Sequence, residues 1–281
     1  MKDKLKAYKR YFKYFFITSL AIGIYSFVWE RYFVTFPEYV YESESLPKEF
    51  DGYRIAIISD LHLGSLDPEI WIKWVIKKTN DTSPDLIVGL GDYVKKRKTD
   101  DELKKVWPLL LTLKAKHDVL FVNGNHDHWA NYKLSLSLLK ESKRSLRNQH
   151  KILKKGKSEI TIAGTGDFWE DKVDIDKSLA SSPLKNFKLV ITHNPDATQT
   201  NHDTKINLFL AGHTHGGQVR IPFFDYSPIL PIKSRNLDKG FRKNKFGEDV
   251  FISSGIGWSI LPLRFNCPSE VPIIILKSKQ K

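Results

Sequence analysis

Short apolar runs, each cut off by a polar cluster, set the rhythm of this chain. Tyr53-Arg54-Ile55-Ala56-Ile57-Ile58-Ser59 stops at Asp60-Leu61-His62, residues 85–90 stop at Gly91-Asp92, and residues 118–122 stop at Asn123-Gly124-Asn125-His126-Asp127. Further on, residues 159–164 end at Gly164-Thr165-Gly166-Asp167 and residues 187–192 at His193. Residues 207–210 run into Ala211-Gly212-His213-Thr214-His215-Gly216-Gly217-Gln218. Such runs, closed by glycines and polar residues, read as buried strands ending in turns. A strand period of two would put Asp60 with His62, and His213 with His215, on a shared face. Between the runs the pattern turns helical. Asp67-Pro68-Glu69 predicts a helix start with Asp67 as cap and Pro68 as first residue, followed by apolar Ile70, Trp71, Trp74, Val75 and Ile76. Residues 103–113 predict a second helix, kinked or broken at Pro108, and residues 132–147 a third carrying Leu134, Leu136, Leu138 and Leu139. Residues 38–42 read as an edge strand and residues 151–157 as a solvated basic connection. Alternating strands and helices argue for an α/β fold with parallel strands joined by crossovers. Open α/β sheets carry their sites beyond the carboxyl ends of the strands, where these polar clusters fall.

The first fifty residues follow another pattern. Residues 14–29 are uncharged, and residues 11–29 remain apolar if Lys13 snorkels, which is near the lower limit of about 17–25 residues for a spanning helix. Tyr11, Phe12 and Tyr14 at one end, with Trp29 and Tyr32 at the other, resemble interfacial belts. No small-x-small cleavage site follows, as a signal peptide would require, and the segment is apolar all round, unlike an interfacial helix. The expected organisation is a basic segment and anchor over residues 1–31, a linker or edge strand over 32–49, and a catalytic domain over 50–281. Lys2, Lys4, Lys6, Lys9, Arg10 and Lys13 precede the run, which places the N-terminus in the cytoplasm and the domain outside the cytoplasmic membrane, crossed once. The same lysines would equally hold a non-crossing helix on an anionic cytoplasmic leaflet.

Composition changes this picture little. The 281 residues are ample for one large domain. A single cysteine, Cys267, excludes a disulfide framework or a thiolate zinc site within the chain. With 45 Lys+Arg against 32 Asp+Glu, the net charge of +13 favours anionic partners. The basic residues are scattered without an aromatic-basic stripe, so no specific nucleic-acid partner is expected, and the chain is expected to be a monomer. The imidazole, carboxylate and amide groups in the clusters are metal ligands of nitrogen–oxygen type, suited to Mn²⁺, Fe²⁺ or Zn²⁺.

The set D-x-H, GD, GNHD, a lone His and GHTH, in this order from Asp60 to His215, resembles the calcineurin-like metallophosphoesterase superfamily. The stretch Gly255-Ile256-Gly257-Trp258 through Leu261-Pro262-Leu263-Arg264-Phe265-Asn266-Cys267-Pro268-Ser269-Glu270 resembles its membrane-anchored bacterial branch, similar to enzymes that cleave UDP-diacylglucosamine in lipid A synthesis. This resemblance implies a four-layer α/β-β/α sandwich of two packed mixed sheets, preceded here by one transmembrane helix. It implies one divalent ion on Asp60, His62, Asp92 and His215 and a second on Asp92, Asn125, His193 and His213, with manganese favoured. Water held between such ions loses a proton near neutrality and attacks phosphorus in line. His126 is implied as phosphate contact and general acid, with Asp127 orienting its ring and keeping it protonated. Arg264 either clamps a second phosphate or is structural. Phe223 and Phe224, in the apolar loop 221–230, either receive acyl chains or pack the loop down. The chain departs from many relatives in Gly91-Asp92-Tyr93-Val94-Lys95-Lys96, where basic residues replace a further acid, and the arginine motifs of protein phosphatases are missing. His117, His128, His150 and His202 match no motif. The expected activity is hydrolysis of a phosphodiester or pyrophosphate, with a lipid-linked nucleotide as substrate. The alternatives are a nuclease or cyclic-nucleotide phosphodiesterase, and an inactive metal-binding scaffold.

Overall fold

Strands form where both faces of the chain are to be buried. In the computed structural model, which describes residues 2–224 and 226–280, the helix α1 (Lys2–Ile24) continues through a π turn and a 3-10 turn to Tyr32. There follow β1 (Val34–Thr35), β2 (Glu38–Ser43), β3 (Tyr53–Ile58), α2 (Glu69–Asp81), β4 (Leu86–Gly89), α3 (Asp101–Leu110), β5 (Asp118–Phe121) and α4 (Asn125–Glu141). The second half contains β6 (Gln149–Lys155), β7 (Ser158–Gly164), α5 (Ile175–Ser178), β8 (Phe187–Ile191) and β9 (Leu208–Ala211). It closes with β10 (Gly240–Lys243), β11 (Asp249–Ile252), β12 (Ser269–Glu270) and β13 (Ile273–Ser278).

Two mixed sheets result, ordered β2-β13-β3-β4-β5 and β10-β11-β9-β8-β7-β6. In the first, β3, β4 and β5 are parallel and β13 runs antiparallel beside β3. In the second, β7, β8, β9 and β11 are parallel, and antiparallel hairpins end the sheet on each side. Alternate residues of one strand serve two cores, as the period of two requires. Ile55 and Ile57 pack with Leu86, Val88, Ile162, Ile191 and Leu210 between the sheets, while Ala56 and Ile58 join Ile72, Val75, Val106 and Leu139 under the helices. The far face of the second sheet is covered by α5 and loop residues such as Ile206, Ile232 and Leu237. The layering is therefore α/β-β/α, the fourth layer being largely loop.

Several local expectations change. Pro68, not Asp67, occupies the cap of α2, and Ile72, Val75, Ile76 and Thr79 are its buried positions, leaving Ile70 and Trp74 exposed. Pro108 lies within α3, which ends three residues before Leu113. The pattern starting at residue 132 is only the second part of α4, which begins at Asn125, breaks at Asn131 (φ −162°, ψ 107°) and ends at Glu141. Asn131 recaps the helix by accepting from the Leu134 N–H at 3.0 Å. Residues 151–157 are mostly strand: Lys151 and Lys154 of β6 pair with Asp118 and Glu159.

Residues 4–32 form a helix that is long and apolar enough to cross a membrane by length and composition. Its end is built into the domain. The guanidinium of Arg31 is buried, donating to Asp67 Oδ1 at 2.9 Å and to the Leu66 carbonyl at 2.7 Å. Glu30 accepts from the Cys267 N–H at 2.6 Å, and Ser269 Oγ donates to the Arg31 carbonyl at 2.8 Å. β2 then pairs with β13 over its whole length as an edge strand. A chain cut at Leu46 would lose that strand and leave Asp67 without its cation. Because breaking one partner of a buried pair leaves an uncompensated charge, Asp67→Ala should destabilise the full chain by about 3–5 kcal/mol. A clear fall in Tm of the detergent-solubilised protein is the expected result, and an unchanged Tm would show that the Arg31 junction contributes nothing.

Candidate metal centre

The ligand-bearing loops begin after the strands have ended. β3 stops at Ile58, β4 at Gly89 and β9 at Ala211, so the two same-face strand pairs expected from the sequence do not exist as such. Instead Asp60 (φ 56°), His62 (φ 48°), Asp92 (φ 56°), His213 (φ 68°) and His215 (φ 52°) all hold left-handed backbone conformations. A non-glycine residue in such a region costs on the order of 1–3 kcal/mol and persists only where its surroundings enforce it. Here the enforcement is mutual hydrogen bonding. The N–H groups of Asp60 and His62 donate to the carbonyls of Gly91 and Asp92, both at 3.0 Å. The His126 N–H donates to Asp92 Oδ1 at 2.8 Å, and the His213 N–H to Asp60 Oδ2 at 3.1 Å. Gly91 (φ 95°) permits the closest approach, since a Cβ there would overlap the backbone of Gly124.

Two sets of donor atoms converge. Asp60, His62 and His215 form one, and Asp92, His193 and His213 the other, each with its ligand atoms within 4.8 Å of one another. Nε2 of His62 lies 3.1 Å from Nε2 of His215, and Nε2 of His193 lies 3.1 Å from Nδ1 of His213. Asp92 Oδ2 is 3.6 Å from His62 Nε2 and 3.3 Å from His193 Nε2, so one oxygen faces both sets. Nδ1 of His62 and of His193 meet the carbonyls of Val94 (3.3 Å) and Leu90 (2.8 Å). Carbonyls only accept, so the neutral rings carry hydrogen on Nδ1 and turn an Nε2 lone pair inward. Asp60 Oδ1 and Asn125 Oδ1 are buried with no hydrogen-bond partner. Inward lone pairs and orphaned carbonyl-type oxygens are what divalent cations satisfy.

Burial also keeps most of these rings neutral. It lowers His62 and His215 well below the ordinary histidine value and takes His213 to about 3. Asp92 and His193 are the exception. Burial opposes both charges, yet their mutual attraction holds Asp92 low and His193 high. A cation held beside Asp92 would displace that proton, as metal binding to imidazole generally does.

Asp127 takes a different part from that expected, and the ring of His126 is oriented by another partner. Nδ1 of His126 lies 2.9 Å from the Lys95 carbonyl, which orients the ring. The Asp127 carboxylate instead accepts the N–H groups of Asp92 (2.9 Å), Tyr93 (3.0 Å) and Gly124 (2.9 Å). Asp127 stands at the third position of α4, where a side chain turns back to the cap, so it braces backbone and cannot reach the ring. With no carboxylate bonded to it, His126 is lowered by burial rather than raised.

Beyond the ligands, a cleft of about 330 Å³ is lined by His126, Lys95, Arg97, Trp129, Trp169 and Ile260. Lys95, pushed down to about 8 by burial, donates to the Ser259 carbonyl at 2.6 Å and lies over Trp258. Arg97 lies over Trp129 at 3.8 Å, Trp129 stacks on Trp169 with centroids 6.0 Å apart, and Trp169 meets His213 edge-on. Sequence reasoning passed over these residues. The signal for Lys95 was its place in the basic run after Gly91-Asp92, whereas Trp129 and Trp169 carried none. Asp167 was treated as a turn residue; it is buried near His193, raised to about 6 by burial, and caps the N–H groups of Trp169 and Glu170.

Arg264, Phe223 and Phe224 do not line the cleft. Arg264 is wholly buried behind His215, with its guanidinium donating to the carbonyls of Ser254 (2.8 Å), Gly257 (2.7 Å) and Cys267 (3.2 Å). The guanidinium is engaged by these loop carbonyls, wholly buried, and absent from the lining of the cleft. Phe223 is fully exposed and Phe224 largely so.

A family model described as calcineurin-like phosphoesterase matches residues 53–217. The uncharacterized metallophosphoesterase YkuE of Bacillus subtilis is 33% identical over 89% of this chain and 87% of its own. Phosphodiesterase YaeI of Escherichia coli is 30% identical over 80% of this chain and 82% of its own. A zebrafish (Danio rerio) protein named as a transmembrane protein with metallophosphoesterase domain is 26% identical over 83% of this chain and 55% of its own.

Removing the charge that faces both donor sets tests the centre. Asp92→Asn should lower bound metal at both positions by elemental analysis, and manganese added after chelation should no longer raise Tm as it does for the unaltered chain. His126→Ala should retain its metal. A metal-free His126 variant would move that histidine into the ligand set, where its 4.8 Å grouping with His62 and Asp92 would place it.

Proposed function

The chain belongs to the calcineurin-like phosphoesterase family, and on that premise we propose that it hydrolyses a phosphodiester or pyrophosphate as an enzyme anchored through residues 11–29. The observation that carries the hydrolysis is the single Asp92 oxygen facing two histidine-rich donor sets at the floor of a basic cleft. Asp60, His62, Asp92 and His215 would hold one ion and Asp92, Asn125, His193 and His213 the other, with Mn²⁺ favoured by the nitrogen and oxygen donors. When bound, such a pair supplies positive charge against phosphoryl oxygens and an activated water near neutral pH.

The chain's own residues do the rest. His126 is held by the Lys95 carbonyl with its Nε2 directed away from that contact, so Nε2 is the atom that can give a proton to a departing oxygen. Burial disfavours its cation, and an anionic ester in the cleft would favour it again. Lys95 and Arg97 add positive charge for the phosphoryl group and its neighbours, while Trp129 and Trp169 wall the cleft and limit water. Asp127 positions Asp92 and Gly124 rather than moving a proton.

Likeness to the phosphodiesterase YaeI supports the diester class, and likeness to a transmembrane relative supports the anchor. The largely exposed apolar surface of the N-terminal helix supports the anchor too. Basic residues before it and few after it favour a cytoplasmic N-terminus with the catalytic domain across the membrane. An enzyme fixed to a bilayer meets headgroups more often than soluble esters, which favours a lipid-linked phosphoester, of which a lipid-linked nucleotide is one.

Purified full-length protein loaded with manganese should hydrolyse bis(p-nitrophenyl) phosphate, and His126→Ala should reduce kcat by about 10²–10⁴ with its metal retained. Retained turnover in that variant would remove His126 from the proton path. The protein should stay in the membrane fraction after carbonate washing, and protease added to spheroplasts should reach the domain. Protection until lysis would reverse the orientation.

A further inference from the structure

We infer that two loops beside the cleft, residues 219–231 and 258–263, seat the domain in the surface of the same bilayer, so that the cleft opens at the lipid headgroups. The inference rests on the anchor proposed above and adds what the domain does once the anchor is in place.

The two loops form one surface. Gln218 joins them: its Nε2 donates to the carbonyls of Leu261 (2.7 Å) and Leu263 (2.9 Å), and its Oε1 accepts from the Ser259 N–H at 2.6 Å. Val219 bridges to Phe265, and the Arg220 N–H donates to the Phe265 carbonyl at 3.0 Å. Among the described residues of these loops, the exposed side chains are largely apolar. Phe223 is fully exposed, Phe224 is 68% and Ile260 65% exposed, and Tyr226, Ile229 and Leu261 are about half exposed. Residues 258–263 carry no charge in a chain of net charge +13. Phe223 also holds φ at 68°, a strained conformation for a bulky side chain, and its ring is fully exposed among the described residues. Clustered exposed aromatic and aliphatic side chains of this kind mark a surface that meets something apolar.

The occupant follows from where the anchor ends. The Arg264 N–H donates to the Ser26 carbonyl at 3.1 Å, and Arg31 Nη1 donates to the Pro262 carbonyl at 3.3 Å. Tyr25 and Phe33 share a crevice with Pro222 and Phe265, which brings the tip of the first loop beside the last turns of the helix. No flexible tether separates membrane and domain. A helix that crosses the bilayer and is hydrogen-bonded to the domain from Ser26 onward must therefore hold these loops against the leaflet it emerges from. The surface is also continuous with the site: Ile260 lines the metal cleft, and Ile229, Ile260 and Leu261 line a small apolar cavity of about 40 Å³ that reaches His215. Phe223 and Phe224 thus serve the bilayer, and a lipid-borne phosphoester would approach the metals without leaving the leaflet.

Depth labelling tests this. Cys267 is the only cysteine and is buried, so Phe223→Cys, Ile260→Cys and Leu184→Cys in the full chain each accept one environment-sensitive fluorophore. Leu184 is exposed before β8, at the end of the strands away from the metal loops. In vesicles of phosphatidylcholine and phosphatidylglycerol, labels at 223 and 260 should be quenched by lipids carrying a shallow nitroxide, and the label at 184 should not. Phe223→Asp combined with Phe224→Asp should abolish quenching at 260 while leaving bis(p-nitrophenyl) phosphate hydrolysis unchanged. Carbonate-resistant protein with no quenching at 223 and 260 overturns the inference and leaves the anchor standing, as does equal quenching at all three positions. Release by carbonate removes the anchor itself. Loss of the soluble activity in the double variant would make the loop structural and equally overturn the inference.

Discussion

One carboxylate oxygen, Oδ2 of Asp92, faces histidines from both donor sets, and the loops around it are shaped to keep it there. Asp92 sits in a left-handed conformation, its N–H is held by Asp127, and its other oxygen accepts from the His126 N–H. These contacts come from the loops after β3 and β8 and from the start of α4 after β5, so those strands and β4 must be in register before the site exists. The strain at five ligand residues is tolerated because the packed sheets beneath leave the loops no alternative course. The same arrangement concentrates buried donors that no protein hydrogen satisfies. Such a site is costly when empty and is stabilised by cations, so folding and metal affinity are linked at this one residue.

A second constraint couples the domain to its N-terminal helix. Arg31 is a fully buried cation and is stable there only because Asp67 and backbone carbonyls answer it. The loop carrying Pro262 belongs to the segment that Arg264 organises behind His215, so the helix end, the apolar loops and a metal ligand share one hydrogen-bonded neighbourhood. These contacts fix the angle between the helix and the cleft.

Six of the seven expected ligands, Asn125 apart, fall into the two donor sets, and each carries a local sign, its place shortly after a short apolar run. Their backbone conformation had no such sign. Period-two reasoning assumed that the strands continue through Asp60-Leu61-His62 and through His213-Thr214-His215, whereas the chain leaves the sheet earlier and coils. Asp127 was misassigned because adjacency in sequence suggested contact with His126, while the helix beginning at Asn125 turns its carboxylate back toward the cap. Trp129 and Trp169 were illegible for a plainer reason: a cleft wall is assembled from segments that approach only after the two sheets have packed.

What the sequence determined by itself is whatever depends on neighbours along the chain: the strand positions, the apolar N-terminal helix, the order of the metal-ligand motifs and hence the family chemistry. What tertiary structure decided is whatever depends on partners far apart. Arg31 finds Asp67, Glu30 finds Cys267, and residues 38–43 join β13 as an edge strand instead of forming a free linker. The role of Arg264 was likewise undecidable from its surroundings in the chain, since a guanidinium reads the same whether phosphate or carbonyl will meet it. Its burial among the carbonyls of Ser254, Gly257 and Cys267 settled the matter, because desolvated donors must be satisfied by whatever the fold brings within reach.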